Sequence, residues 1–171
     1  MLPDHPQTTG ILTTALALAA LCLAQPVMAL PEDAKQIIEI EGPAGSSLQS
    51  SGWIVLKGTA ANPAKIKQGT LLITGLEIRL LQKNNELQSA TATGSPARFQ
   101  QQPAKDKALI QGSGRQITLN NAAKLLTITT DGELSQEGNL VQSSQIEYHI
   151  DTSEYTTGPM HMSLQPKKDK P

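Results

Sequence analysis

Beyond residue 36 no stretch of the chain places apolar residues at helical spacing. Apolar and polar positions alternate instead, over short runs, as in a half-buried strand whose successive side chains face opposite ways. Ile38 and Ile40 share a face, with Glu39 and Glu41 opposite. Trp53 to Lys57 is a denser run before Gly58, and Leu71 and Ile73 follow Gly69. Ile78 and Leu80 bracket Arg79, Ala97 and Phe99 bracket Arg98, and Ile117 and Leu119 bracket Thr118. Leu126 and Ile128 alternate with threonines; Ile146, Tyr148 and Ile150 with Glu147 and His149; Met160, Met162 and Leu164 with His161 and Ser163. Turn signals divide the runs: Asn62-Pro63, Lys83-Asn84-Asn85, Gly94-Ser95-Pro96, Asn120-Asn121, Asp131-Gly132 and Glu137-Gly138-Asn139. Many short strands so spaced predict an all-β sandwich, barrel or solenoid.

A weak internal repeat runs through the pattern. Ile54 to Gly58, Gln68 to Leu71, Leu76 to Leu80 and Thr91 to Gly94 are echoed by Leu126 to Thr129, Glu137 to Leu140, Gln145 to His149 and Tyr155 to Gly158. The period is roughly 65–70 residues, which predicts stacked β-units with a shared interior. The tail, residues 166–171, is polar and reads as a solvated, disordered end.

The N-terminal segment breaks the alternation. Ala15 to Ala24 is continuously apolar but spans only about ten residues, against roughly 20 for a membrane-crossing helix. It reads as the core of a secretory signal, with Val27-Met28-Ala29 supplying small residues at the cleavage site. Cleavage is expected after Ala29, with Ala24 and an uncleaved anchor as alternatives. The region ahead of the apolar core holds no Lys or Arg, a departure from the usual signal. Cys22 follows Leu21 where lipid attachment needs a small residue, so lipidation is not expected.

Composition narrows the chemistry. The chain has 171 residues with 14 basic and 15 acidic side chains, and Asp4 is the only one of these within residues 1–29. The mature chain would therefore be neutral, without the basic surface a nucleic-acid binder needs. The single cysteine leaves with the signal, which suits an oxidising compartment such as a bacterial periplasm. His149 and His161 sit at polar positions of different strands, so a surface position is expected for each and no metal site is implied. No phosphate loop or nucleophile elbow occurs, the carboxylates are scattered with no spacing that argues for a catalytic pair, and Gly112-Ser113-Gly114 reads as a turn or bulge. An enzyme is not expected, and no cofactor is implied.

The order of these pieces resembles the OstA-like (LptA) family of periplasmic lipopolysaccharide-transport proteins. Gln36 to Glu41 is similar to the family's opening strand. Gly58-Thr59-Ala60 followed by Gln68-Gly69-Thr70-Leu71 is similar to its first hairpin, with Asn62 to Lys67 standing as an insertion. Leu76 to Leu80 matches the next strand. Gly94-Ser95-Pro96-Ala97-Arg98-Phe99 lies close to the family's Gly-x-Pro-Ala-x-Phe, and Ile110 to Ile117 resembles the strand after it. Leu119 stands where Tyr is usual, and Arg115 where a smaller residue is common.

The resemblance covers about residues 33–164 and implies one OstA-like domain over residues 30–165. The implied fold is an open, V-shaped antiparallel β-jellyroll built from two weakly similar β-units. Subunits would join head to tail through their terminal strands and carry lipopolysaccharide in a groove, with lipid A acyl chains inside. Implied partners are lipopolysaccharide, an inner-membrane clamp subunit, an outer-membrane translocon and further copies of the chain. The anchored clamp subunit of the same pathway is one alternative. A self-assembling β-module without lipid cargo is another. On this reading the groove-facing residues are Ile38, Ile40, Leu56, Ile73, Ile78, Leu80, Phe99, Ile117, Leu119, Ile128, Ile146, Tyr148 and Met162. Arg79, Lys83 and Arg98 are the candidates for lipid A phosphates at the groove rim.

Overall fold

The structure is a computed structural model and describes residues 36–166. The segment read as a signal peptide, residues 1–29, and the tail beyond Pro166 lie outside the described residues. The described residues form twelve strands: β1 (Ile38–Glu41), β2 (Ser47–Leu48), β3 (Trp53–Lys57), β4 (Ala64–Gln68), β5 (Leu71–Gly75), β6 (Glu77–Lys83), β7 (Glu86–Gln101), β8 (Ile110–Asn120), β9 (Leu125–Gln136), β10 (Asn139–His149), β11 (Tyr155–Thr157) and β12 (Met160–Ser163). Every pairing is antiparallel. The described residues contain no helix, and so none long and apolar enough to cross a membrane.

The long strands β7 to β10 pair in chain order and form the body. All four are interrupted at one level. The register shifts between Thr93 and Ala97 in β7, between Ser113 and Gln116 in β8, and between Ser143 and Gln145 in β10. In β9 the interruption is Thr130 and Asp131, both with left-handed φ (61° and 56°). Such bulges bend a strand and re-aim its side chains. The inward positions accordingly change parity across the break: Ala90 and Ala92 give way to Ala97 and Phe99 in β7, and Val141 gives way to Ile146 and Tyr148 in β10.

The breaks line up as a crease, and the sheet divides along it. On one side the order is β2-β3-β6-β7-β8-β9-β10-β11; on the other it is β1-β4-β5-β7-β8-β9-β10-β12. The two half-sheets fold toward each other as an open β-jellyroll. Their inner faces form the core, and two edge strands are left at each end: β1 and β2 at one, β11 and β12 at the other.

The weak repeat is visible in the pairing. Ile54 and Leu56 of β3 pair with Leu80 and Ile78 of β6, which in turn face Ala90 and Ala92 of β7. Leu126 and Ile128 of β9 pair with Tyr148 and Ile146 of β10, which face Tyr155 and Thr157 of β11.

Two local expectations need correction. Gly94-Ser95-Pro96 and Asp131-Gly132 read as turns ending their runs, yet β7 and β9 continue through both. Their residues bend strands at the crease instead of reversing the chain. Asn62 to Lys67, read as an insertion in the first hairpin, holds most of a strand: Ala64 to Gln68 is β4, paired between β1 and β5. Its alternation is plain: Ala64 and Ile66 are buried, while Lys65 and Lys67 point out to Glu41 and Glu39 at 3.1 and 3.5 Å. The hairpins at Asn84-Asn85 and Glu137-Gly138 behave as expected, each with two left-handed residues that suit a tight two-residue turn.

Candidate functional site

The interior between the half-sheets is aliphatic and continuous. On the first half-sheet the register carries two inner rows from end to end. One runs Ile54, Leu80, Ala90, Leu119, Leu126, Tyr148, and the other runs Leu56, Ile78, Ala92, Ile117, Ile128, Ile146. On the second half-sheet one row runs Ile40, Ile66, Ile73, Phe99, Gly112, Leu134, Val141, Met162. Between the ends these rows are packed. Leu56, Ile73, Ile78, Leu80, Phe99, Ile117, Leu119, Ile128, Ile146 and Tyr148 are all buried, so most of the sequence-derived groove set lies inside a dense core. Ile38 is partly buried, and Ile40 and Met162 are 40% and 41% exposed at opposite ends.

Close approach at the crease depends on glycine. A Cβ on Gly112 would stand 2.1 Å from Phe99 Cε1, and one on Gly114 would stand 2.5 Å from Ile128 Cγ2. Phe99 therefore lies flat over a strand that offers it no side chain.

The half-sheets are also joined by a polar contact. Tyr148 Oη donates to Gln101 Oε1 at 2.9 Å, and Gln101 Nε2 donates to the Ile150 carbonyl at 3.3 Å. Both side chains are buried, and the Tyr148 ring packs on Phe99 with centroids 5.4 Å apart. Burial raises the Tyr148 pKa above the ordinary 10.0, and the Ser153 hydroxyl offsets this only in part. Because the folded-state value is raised, the contribution to stability is full below pH 10 and falls as pH rises through the folded-state pKa. Tyr148→Phe strands the Gln101 acceptor and is expected to cost about 1–3 kcal/mol at neutral pH. The same variant should flatten the alkaline fall in stability, which thermal unfolding from neutral pH to above pH 10 would measure.

Each end of the interior opens as an apolar mouth. At the β1/β2 end a cavity of about 300 Å³ is lined by Ile37, Ile38, Ile40, Ile54, Leu80 and Leu87, with Gln82 and Asn85. At the β11/β12 end a smaller one of about 90 Å³ is lined by Ile110, Leu134, Val141, Tyr155 and Met162, with Gln136 and Asn139. Exposed apolar side chains gather at the same ends: Ile37, Ile40 and Leu48 at one, and Tyr155, Met160, Met162 and Leu164 at the other.

The three candidate cations are not brought together. Arg79 is on the outer face of β6, with Nε 3.7 Å from Glu77 Oε1. Lys83 is exposed at the end of β6. Arg98 is on the outer face of the other half-sheet, beside Ser113 and Glu133 in a depression of about 340 Å³. The described residues contain no cluster of His, Cys, Asp or Glu fit to hold a metal ion.

A family model described as the LptA/(LptD N-terminal domain) LPS transport protein matches residues 39–154. The chain belongs to that family. Among its relatives, the lipopolysaccharide export system protein LptH of Pseudomonas aeruginosa is 27% identical over 154 residues, covering 82% of this chain and 86% of LptH. The crystal structure of LptH, described as the LptA-homologous periplasmic component of the lipopolysaccharide transport device of that organism, matches with a TM-score of 0.72 at 23% identity. It covers 80% of this chain and 100% of that one, so the two share their fold. Within the LptA/LptD N-terminal family frame, several interior residues were absent from the sequence-derived set: Ile66, Leu126, Leu134, Val141 and Gln101. Gln101 was legible by parity, since it follows Ala97 and Phe99 on the same side of β7. Its polarity hid it.

Proposed function

We propose that this chain carries lipopolysaccharide through the periplasm, shielding the acyl chains between its two half-sheets and joining further copies and partners end to end. The observation that carries the reading is an aliphatic interior with an apolar mouth at each end, each mouth flanked by edge strands that pair on one side only among the described residues. Exposing an acyl chain of about 12 carbons to water costs roughly 8–9 kcal/mol, so the cargo needs cover along its whole path. The packed interior means that loading parts the half-sheets, with Tyr148–Gln101 as the contact to break. Ile73, Ile78, Phe99, Ile117, Ile128 and Ile146 would then line the acyl chains, with Ile38, Ile40 and Met162 at the mouths.

The edges fit a continuous stack. Each half-sheet ends in one strand at either end, so β12 of one copy can extend to β1 of the next, and β11 to β2. Ile40 and Met162 lie on the same inner row, so such a stack continues the apolar row from copy to copy. Free strand edges recruit other chains, and a contact that does not close on itself propagates as a file. An inner-membrane clamp subunit and an outer-membrane translocon would sit at the two ends. Light scattering over a range of protein concentrations tests this part. Species that lengthen with concentration are expected, and a strict monomer or a closed dimer throughout would contradict it.

A further inference from the structure

The chain's only tryptophan is not in its core. Trp53 stands on the outer face of β3, opposite in direction to the inward Ile54, and is 39% exposed. It borders a depression of about 460 Å³ lined by Gln49, Val55, Arg79, Thr91 and Gln116. This lies on the far side of the sheet from the acyl-chain interior.

The depression is built from fixed elements. Gln49 N donates to the Trp53 carbonyl at 2.8 Å, Gly52 N to the Gln49 carbonyl at 3.0 Å, and Gln82 N to the Gly52 carbonyl at 2.9 Å. Gly52 has φ +85°, and a Cβ there would stand 2.4 Å from the Gln82 oxygen. The turn before Trp53 is thus locked onto both β3 and β6. On the opposite wall, Gln116 Nε2 donates to Thr118 Oγ1 at 3.4 Å, and Thr91 Oγ1 lies 3.5 Å from the same atom. Glu77 is shared between Lys57 and Arg79, and the Arg79 side chain is largely exposed. Its guanidinium has five N–H donors, so most remain available to a ligand.

A half-exposed indole offers a flat apolar face beside polar groups. Two amides, a hydroxyl and a guanidinium around it can each meet a ring hydroxyl, and the guanidinium adds a preference for anionic oxygen. A purely apolar ligand would leave those polar walls unsatisfied. We propose that the Trp53–Arg79 depression binds an acidic saccharide, one ring face stacked on the indole and a phosphate or carboxylate on Arg79. The saccharide could be lipid-linked or free, and the shared chemistry is the sugar chain itself.

Because Trp53 is the sole tryptophan, its fluorescence reports on this site directly. The probes are the phosphorylated core oligosaccharide of lipopolysaccharide freed of lipid A, intact lipopolysaccharide, and maltohexaose as a neutral chain. A saturable change in emission with the lipid-free oligosaccharide is expected, with binding about tenfold tighter than maltohexaose, as one charge-assisted contact supplies. Arg79→Gln should remove that preference. Trp53→Ala should remove binding followed by amide chemical shifts of Thr91 and Gln116. Both variants should keep the wild-type far-UV spectrum, since both side chains point to solvent. A flat titration into the millimolar range overturns the proposal, as does equal binding of the neutral chain. Binding of intact lipopolysaccharide alone also overturns it, because the acyl interior then accounts for the signal. Acyl loading in Trp53→Ala is expected to be unchanged, so the two readings fail separately.

Discussion

Phe99→Asp is expected to abolish the fold, not merely to block cargo. Phe99 is 3% exposed, packed at a tilt against the Tyr148 ring and laid over the bare backbone of Gly112. Removing a buried aromatic side chain costs about 3–5 kcal/mol. An unpaired carboxylate in the same place adds several kcal/mol more, either as desolvation or as the work of protonating it. Together these approach the whole stability of an ordinary domain, about 5–15 kcal/mol. Circular dichroism should show no cooperative thermal transition. A folded Phe99→Asp with a near-normal transition would show that water reaches the interior and that the packed rows are not the resting state. Ile40→Asp is the contrasting variant. Ile40 is partly exposed at a mouth, so a charge there should leave the fold intact and act only on entry or stacking.

Met160→Asp with Met162→Asp is expected to leave a folded monomer that no longer assembles. Both residues lie on β12, an edge strand paired only with β10, and both are exposed in the single chain. Exposed substitutions of this kind shift stability by about 0.5 kcal/mol or less. In a stacked file the same positions face the interior of the junction, where each unpaired carboxylate costs several kcal/mol. At about 1.4 kcal/mol per tenfold, assembly should weaken by several orders of magnitude. Scattering should then show one monomeric species at every concentration that assembles the wild-type chain. Persistence of the long species would place the junction elsewhere.

Much of the architecture was legible because alternation is a direct image of a half-buried strand. Ile78-Arg79-Leu80 and Ile146-Glu147-Tyr148 read correctly residue by residue, since their neighbours impose a simple inside and outside. What the pattern hid was the crease. Gly94-Ser95-Pro96 and Asp131-Gly132 have the composition of turns, and only the pairing partners on either side show that the chain bends there without reversing. Residues near the crease change parity, so a reader following one alternation through it assigns the wrong face. β4 was hidden for another reason: Asn62 to Lys67 stood out as an insertion against the family pattern, though Lys65 and Lys67 answer Glu41 and Glu39 of β1. The interior itself was foreseen as a row of aliphatic residues. That it is packed shut between the mouths is a matter of how close the half-sheets come, and this depends on Gly112 and Gly114, whose lack of a side chain carries no periodic signal.

Site-specific photocrosslinking tests the central claim most directly. A diazirine-bearing residue is placed at Leu126, on the inner face of β9, or at Leu72, on the outer face of β5, and the chain is irradiated with lipopolysaccharide. If acyl chains travel between the half-sheets, Leu126 captures the glycolipid and Leu72 does not. Capture at Leu72 with none at Leu126, in a chain that is folded and assembled, would contradict the account.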